Sequence, residues 1–110
     1  MELTEKKCVP CEGGVPRLGI PEIETFLKKV SGWAVTSDKV NKLHKSYKFD
    51  DFLSAMAFVD KMASIAEEEG HHPDFCVHYS QVDVTIWTHA ISGLSENDFI
   101  LAAKLDAVLS

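Results

Sequence analysis

The sequence predicts an α+β domain: a four-stranded antiparallel sheet with three helices on one face, in the order α-β-β-α-β-β-α. Two patterns carry that expectation. Three stretches repeat apolar residues at three- and four-residue steps, and between them lie two pairs of short segments rich in β-branched and aromatic residues, most of them alternating every second residue. Two hairpins separated by a helix can share one sheet, with helices on one face and the other face open. A chain of 110 residues suits one such domain. Residues 1–20 read as an irregular N-terminal arm and 21–110 as the folded unit.

The arm contains Cys8-Val9-Pro10-Cys11-Glu12-Gly13-Gly14-Val15-Pro16, rich in Pro and Gly and without period. Cys8 and Cys11 supply half of a structural zinc ligand set. The remaining cysteine, Cys76, falls in an expected strand. Pro10 and Gly13-Gly14 also disfavour the helix that a redox Cys-x-x-Cys pair opens.

Pro21 opens the first helix, where its missing N–H costs nothing. Ile23, Phe26, Leu27 and Val30 form its apolar face, and Gly32 suits the position just past its end. Trp33–Thr36 is short, aromatic and β-branched, hence a strand, and Ser37-Asp38-Lys39 a turn. The next strand points Leu43, Lys45, Tyr47 and Phe49 one way and His44, Ser46 and Lys48 the other.

Asp50 or Asp51 caps the second helix. Phe52, Met56, Val59, Ala63 and Ala66 form its stripe, widened by Phe58, Met62 and Ile65. A stripe so broad suggests a second apolar surface, and with it an oligomer. Phe75, Val77 and Tyr79 alternate with Cys76 and His78, and Ser80-Gln81 is the expected turn. Val82, Val84, Ile86 and Thr88 then alternate with Asp83, Thr85, Trp87 and His89, which places His89 on the non-core face. Ser95-Glu96-Asn97-Asp98 is a capping-box variant opening the last helix. That helix carries Leu101, Ala102, Leu105, Val108 and Leu109 on one side.

The totals exclude several functions. A net charge of −6 argues against direct nucleic-acid binding. No run of apolar residues is long enough for a membrane span, and no secretory signal is visible. Three cysteines without an export signal fit free thiols in a reducing, cytoplasmic or alternatively nuclear, compartment.

Chemistry concentrates at Glu67-Glu68-Glu69-Gly70-His71-His72-Pro73. Carboxylates are disfavoured in a last helical turn, by about 0.3–1 kcal/mol each, and an unfavourable local choice points to function. Negative charge beside an imidazole favours its proton-holding form, and histidine can give or take a proton near neutrality. Residue pattern leaves a second reading open, a solvated helix end followed by a polar turn. The plain alternatives elsewhere are a strand-end residue for His89, a cap for Asp98, sheet cover for Trp87 and surface positions for His44 and His78. Zinc is disfavoured, because adjacent histidines in an extended segment point apart.

Taken together, Glu67-x-x-x-His71-His72-Pro73, Tyr79, Thr88-His89, Gly93-Leu94-Ser95 and Asp98 resemble the signature of the pterin-4a-carbinolamine dehydratases. Gly32-Trp33, Leu43-x-Lys45-x-Tyr47-x-Phe49 and Phe52-x-x-Ala55-Met56-x-Phe58-Val59 extend the resemblance over about residues 21–108. Phe75 departs from a frequent tryptophan and Lys45 from a frequent arginine. The resemblance implies His71, His72 and His89 as catalytic, Glu67 and Asp98 as supporting, and Pro73, Trp87, Thr88, Ala90 and Ile91 as substrate-binding. It implies no metal and no cofactor. The implied substrate is a tetrahydropterin with a hydroxyl on C4a, dehydrated to a quinonoid dihydropterin in tetrahydrobiopterin recycling. The implied assembly is a homodimer or homotetramer. The competing reading is a non-catalytic binding module, since animal members also act as dimerisation cofactors of a homeodomain transcription factor. A metalloprotein is the third.

Overall fold

The computed structural model describes residues 2–8, 16–37 and 39–109. Helices α1 (Ile20–Leu27), α2 (Phe52–Glu69) and α3 (Glu96–Ala107) pack on strands β1 (Ala34–Ser37), β2 (Asn41–Lys48), β3 (Asp74–His78) and β4 (Gln81–Ile86). The strand order is β1-β2-β4-β3 and every neighbouring pair is antiparallel. Fold class and element order are those expected.

Register explains where the core sits. Leu43 pairs with Ile86 and Tyr47 with Val82, so one face of the sheet is apolar. Leu43, Val82, Val84 and Ile86 are fully buried there, against Phe58 and Met62 of α2 and Phe99, Leu101 and Leu105 of α3 in one cluster. Each such side chain contributes about 1.5–3 kcal/mol by leaving water.

Helix α2 is rotated relative to the expected stripe. Ala55, Phe58, Val59, Met62 and Ala66 face the core, while Phe52 is 46% exposed and Ala63 also faces outward. The cause is aromatic packing: Phe58 lies 4.5 Å from the Tyr47 ring and 5.4 Å from Phe49, which fixes the helix by that edge. Asp51 caps the helix by accepting the Ser54 amide at 2.7 Å. Those Ser54 hydrogen bonds hold the Asp51 carboxyl below its usual range. A depressed carboxyl stabilises the fold above its unfolded pKa, and the contribution is lost as pH falls through the folded value. Asp51→Ala is therefore expected to lower Tm by ~2–6 °C near neutrality. The gap to wild type should narrow as pH falls below the ordinary carboxylate range. Melts across that range check it; a gap that stays constant in acid would exclude an ionised cap.

Helix α1 ends sooner than its apolar spacing suggests. The amides of Lys29 and Val30 turn to the carbonyls of Phe26 and Leu27 at 2.9 and 3.3 Å, so the chain leaves α geometry while Val30 stays buried. Gly32 lies in the following loop at φ +81°, where a Cβ would also stand 3.1 Å from Cε of Lys45. The first strand starts one residue late, and Asp38 of the expected turn lies outside the described residues. In the second hairpin the turn is Tyr79-Ser80, because Gln81 already pairs with His78. Leu109 lies past the end of α3 and is 51% exposed rather than part of its apolar side.

Of the arm, Leu3–Glu5 form a 3-10 turn, and Leu3 is buried in the core cluster. Cys11 and residues 9–15 around it lie outside the described residues.

Candidate active site

The end of α2 sets the site. Gly70 adopts the left-handed conformation at φ +65°. Its amide meets the Glu67 carbonyl at 3.4 Å and that of His71 meets the Ala66 carbonyl at 3.2 Å. This is the Schellman pairing, which satisfies the last carbonyls and redirects the chain abruptly. The two histidines leave the turn on opposite sides.

His71 goes inward. Only 7% of it is exposed, and its Nε2 lies 2.6 Å from Oδ1 of the fully buried Asp98. Oδ2 of Asp98 accepts Thr88 Oγ1 at 2.9 Å and the Ser95 amide at 2.8 Å. With Oδ2 taking both donors, an ionised Asp98 accepts its third bond on Oδ1 from His71 Nε2–H. The other ring nitrogen, Nδ1, is left to meet a ligand. The expected capping box is present with Asp98 at its third position. Asp98 is thus both a cap and the buried partner of a histidine.

His72 goes outward, and its Nε2 meets Oε2 of the exposed Glu67 at 2.5 Å. The three carboxylates divide. Glu67 takes His72, Glu68 sits exposed 3.8 Å from Lys7, and Glu69 is buried against Lys104. The turn that had no lysine of its own receives one from α3. Only Glu67 of the three bonds a histidine.

His89 is not on a strand. β4 stops at Ile86, and His89–Ile91 is a 3-10 turn. The Thr88 amide to the Gly93 carbonyl, at 2.9 Å, closes the loop. The His89 ring lies against Trp87 with centroids 3.8 Å apart and the planes tilted by 31°, and Lys42 Nζ lies 4.6 Å from the Trp87 ring centre.

These groups share an open cleft of about 430 Å³. His71, His72, Pro73, Trp87, His89 and Ala90 line it, together with Gly70 and Asp74, which residue pattern did not single out. Both flank the histidine pair, so adjacency was the available signal. Thr88 and Ile91 are not among its lining; Thr88 is buried and holds Asp98 instead. Ser95 does the same, and the capping pattern was its only sequence signal. A similar opening of about 450 Å³ lies between the arm and α3. Its Asp106 is occupied by Trp33, Lys45 and Tyr47, a tie between α3 and the sheet. Among the described residues no group of three or more His, Cys, Asp or Glu side chains is arranged to hold a metal ion.

Fold and site define a small α+β domain that presents carboxylate-held histidines at one end of an antiparallel sheet. The chain belongs to the pterin 4 alpha carbinolamine dehydratase family, whose model matches residues 16–108. It is 49% identical over 106 residues to a Rickettsia canadensis protein provisionally named pterin-4-alpha-carbinolamine dehydratase, covering 96% of this chain and 95% of that one. Among solved structures it resembles a transcriptional coactivator/pterin dehydratase from Brucella melitensis, with TM-score 0.82 and 35% identity, over 86% of this chain and all of that one. It also resembles a pterin dehydratase-like protein described as a RuBisCO assembly factor in the alpha-carboxysome. There the TM-score is 0.62 and the identity 27%, over 70% of this chain and 88% of that one.

Proposed function

We propose that this chain dehydrates a 4a-hydroxytetrahydropterin to the quinonoid dihydropterin, as a step of tetrahydrobiopterin recycling, by histidine acid–base catalysis. The carrying observation is the cleft where His71, His72 and His89 converge, with His71 locked on buried Asp98. An acid protonates the C4a hydroxyl, the C4a–O bond breaks and water leaves. A base takes the N5 proton, and the N5–H pair closes the new N5=C4a bond. One proton is given and one taken, so the site is restored overall, and such paired transfer supplies roughly 10²–10⁴-fold. The acid and base roles are assigned to the three histidines as a set. Pro73, Trp87 and Ala90 shape the pocket around the histidines. Stopped-flow mixing with 4a-hydroxytetrahydropterin tests the reading. Turnover should exceed the buffer rate in proportion to protein, and a rate equal to buffer alone would overturn it.

The same reading includes a homodimer or homotetramer. Phe52 and Leu53, 46% and 79% exposed, and Phe75 at 44% are large apolar groups left in water. An apolar hollow of about 260 Å³ lies beside Ala63, Ala66 and Phe75. Sedimentation at micromolar concentration should give a dimer or larger, and Leu53→Glu should shift it towards monomer; a wild-type monomer removes the assembly. That apolar surface also favours the second reading, a dimerisation cofactor for a transcription factor, and two of the similar structures are described with coactivator or assembly roles. A pull-down that depends on Leu53 and ignores His71 would select it. The free thiols of Cys8 and Cys76 suit a reducing cytoplasm or nucleus.

A further inference from the structure

The His71–Asp98 contact joins two helix ends far apart in sequence, so something must hold α2 and α3 in register. Glu69, the last residue of α2, stands two residues before His71. Its side chain is 3% exposed, with Oε2 accepting Lys104 Nζ of α3 at 2.6 Å. Its Oε1 accepts the backbone amide of Cys8 at 2.9 Å. The arm then reaches the start of α3: the Cys8 thiol donates to the Asn97 carbonyl at 3.5 Å, and Lys6 pairs with Glu96. Leu3 anchors the arm in the core. The contacts form a closed circuit, running from Glu69 through Cys8 to Asn97, on to Asp98, across to His71 and back through Gly70.

We propose that Glu69, clamped between Lys104 and the N-terminal arm, is a positioning residue that sets the His71–Asp98 pair for proton transfer. The inference rests on the dehydratase reading for its consequence, although the clamp itself does not. Burial alone would raise the Glu69 carboxyl, but Lys104, the Cys8 amide and the charge of Lys7 outweigh it and hold it below its usual range. The clamp is therefore charged at neutral pH and loosens as pH falls through that lowered value. Loss of the clamp frees α2 to shift against α3, and a displacement of the order of 1 Å at a reacting group can cost up to about 10²-fold.

The test compares Glu69→Ala, the double variant Glu69→Gln/Lys104→Gln, and Val30→Ala as a core-destabilised control away from the clamp. In Glu69→Ala, kcat should fall roughly tenfold to hundredfold with KM within about twofold. The double variant keeps neutral hydrogen bonds to both partners and should recover most of the loss. Val30→Ala, assayed at a temperature giving the same folded fraction, should keep its kcat. A second readout needs no turnover. With isotope-labelled histidine, the Nε2 proton of His71 should give a slowly exchanging low-field NMR signal, assigned by its loss in His71→Gln. Glu69→Ala should broaden it and Val30→Ala should not. An unchanged signal and kcat in Glu69→Ala, or equal losses in Val30→Ala, would overturn the proposal. If wild type shows no dehydration at all, the function reading fails and the ring proton alone decides the clamp.

Discussion

Asp98→Asn is expected to fold and to lose about 10²–10⁴-fold in kcat. The carboxylate takes His71 Nε2 on one oxygen and Thr88 and Ser95 on the other. An amide cannot accept on both sides, because its NH₂ is a donor. Either the ring loses its orienting acceptor and changes tautomer, or the Thr88–Ser95 side loses its own. Nδ1 of His71 then no longer presents the same protonation state to a ligand. Leaving a buried donor unmatched should also cost about 1–3 kcal/mol of stability, visible as a lower Tm with an unchanged circular dichroism spectrum. His71→Ala should fall in the same range of kcat. The double variant should be little worse than either single one, because the two act as a unit. Asp98→Asn that stays folded and keeps more than about a tenth of kcat removes Asp98 from the mechanism.

Much of this arrangement was legible in residue pattern, and the limits have physical causes. Period-two alternation located β4 and its core face, and Ser95–Asp98 announced the start of α3, because both are local rules. Alternation carried too far put His89 on a strand. The Thr88–Gly93 bridge, a contact to a residue further along the chain, ends the ladder instead. The rotation of α2 was hidden for the same reason, since Phe58 is selected by rings on β2. His44 and His78, read as surface residues, have Thr85 and Asp83 beside them across the sheet. The Glu67–Glu69 run marks the turn but does not show what each carboxylate does. Glu69 finds its lysine in α3, thirty-five residues along the chain. Pairing between distant segments is set by tertiary packing, which no local period encodes.

His89→Ala is expected to separate catalysis from stability more cleanly than any change at His71. Its side chain has no hydrogen-bond partner among the described residues and is exposed. The backbone turn is closed by Thr88 and Gly93 without it. Removing the ring leaves no buried group unmatched, so Tm should stay within ~1–2 °C of wild type. If His89 carries a proton, kcat should still fall about 10²-fold or more. Trp87 orients that ring by a tilted ring contact, worth about 0.5–1.5 kcal/mol. That corresponds to a loss of up to roughly tenfold for Trp87→Ala, and Trp87→Phe should restore most of it. The ranking is therefore informative. If Trp87→Ala costs as much as His89→Ala, Trp87 must contact the pterin itself. If His89→Ala turns over at the wild-type rate in the stopped-flow assay, the proton inventory belongs to His71 and His72 alone. Lys42 offers a further check, since its ammonium lies over the Trp87 ring. Cation–π attraction at an exposed site is worth about 0.5–1 kcal/mol, so Lys42→Met should alter kcat by no more than about fivefold and leave the larger His89 effect intact.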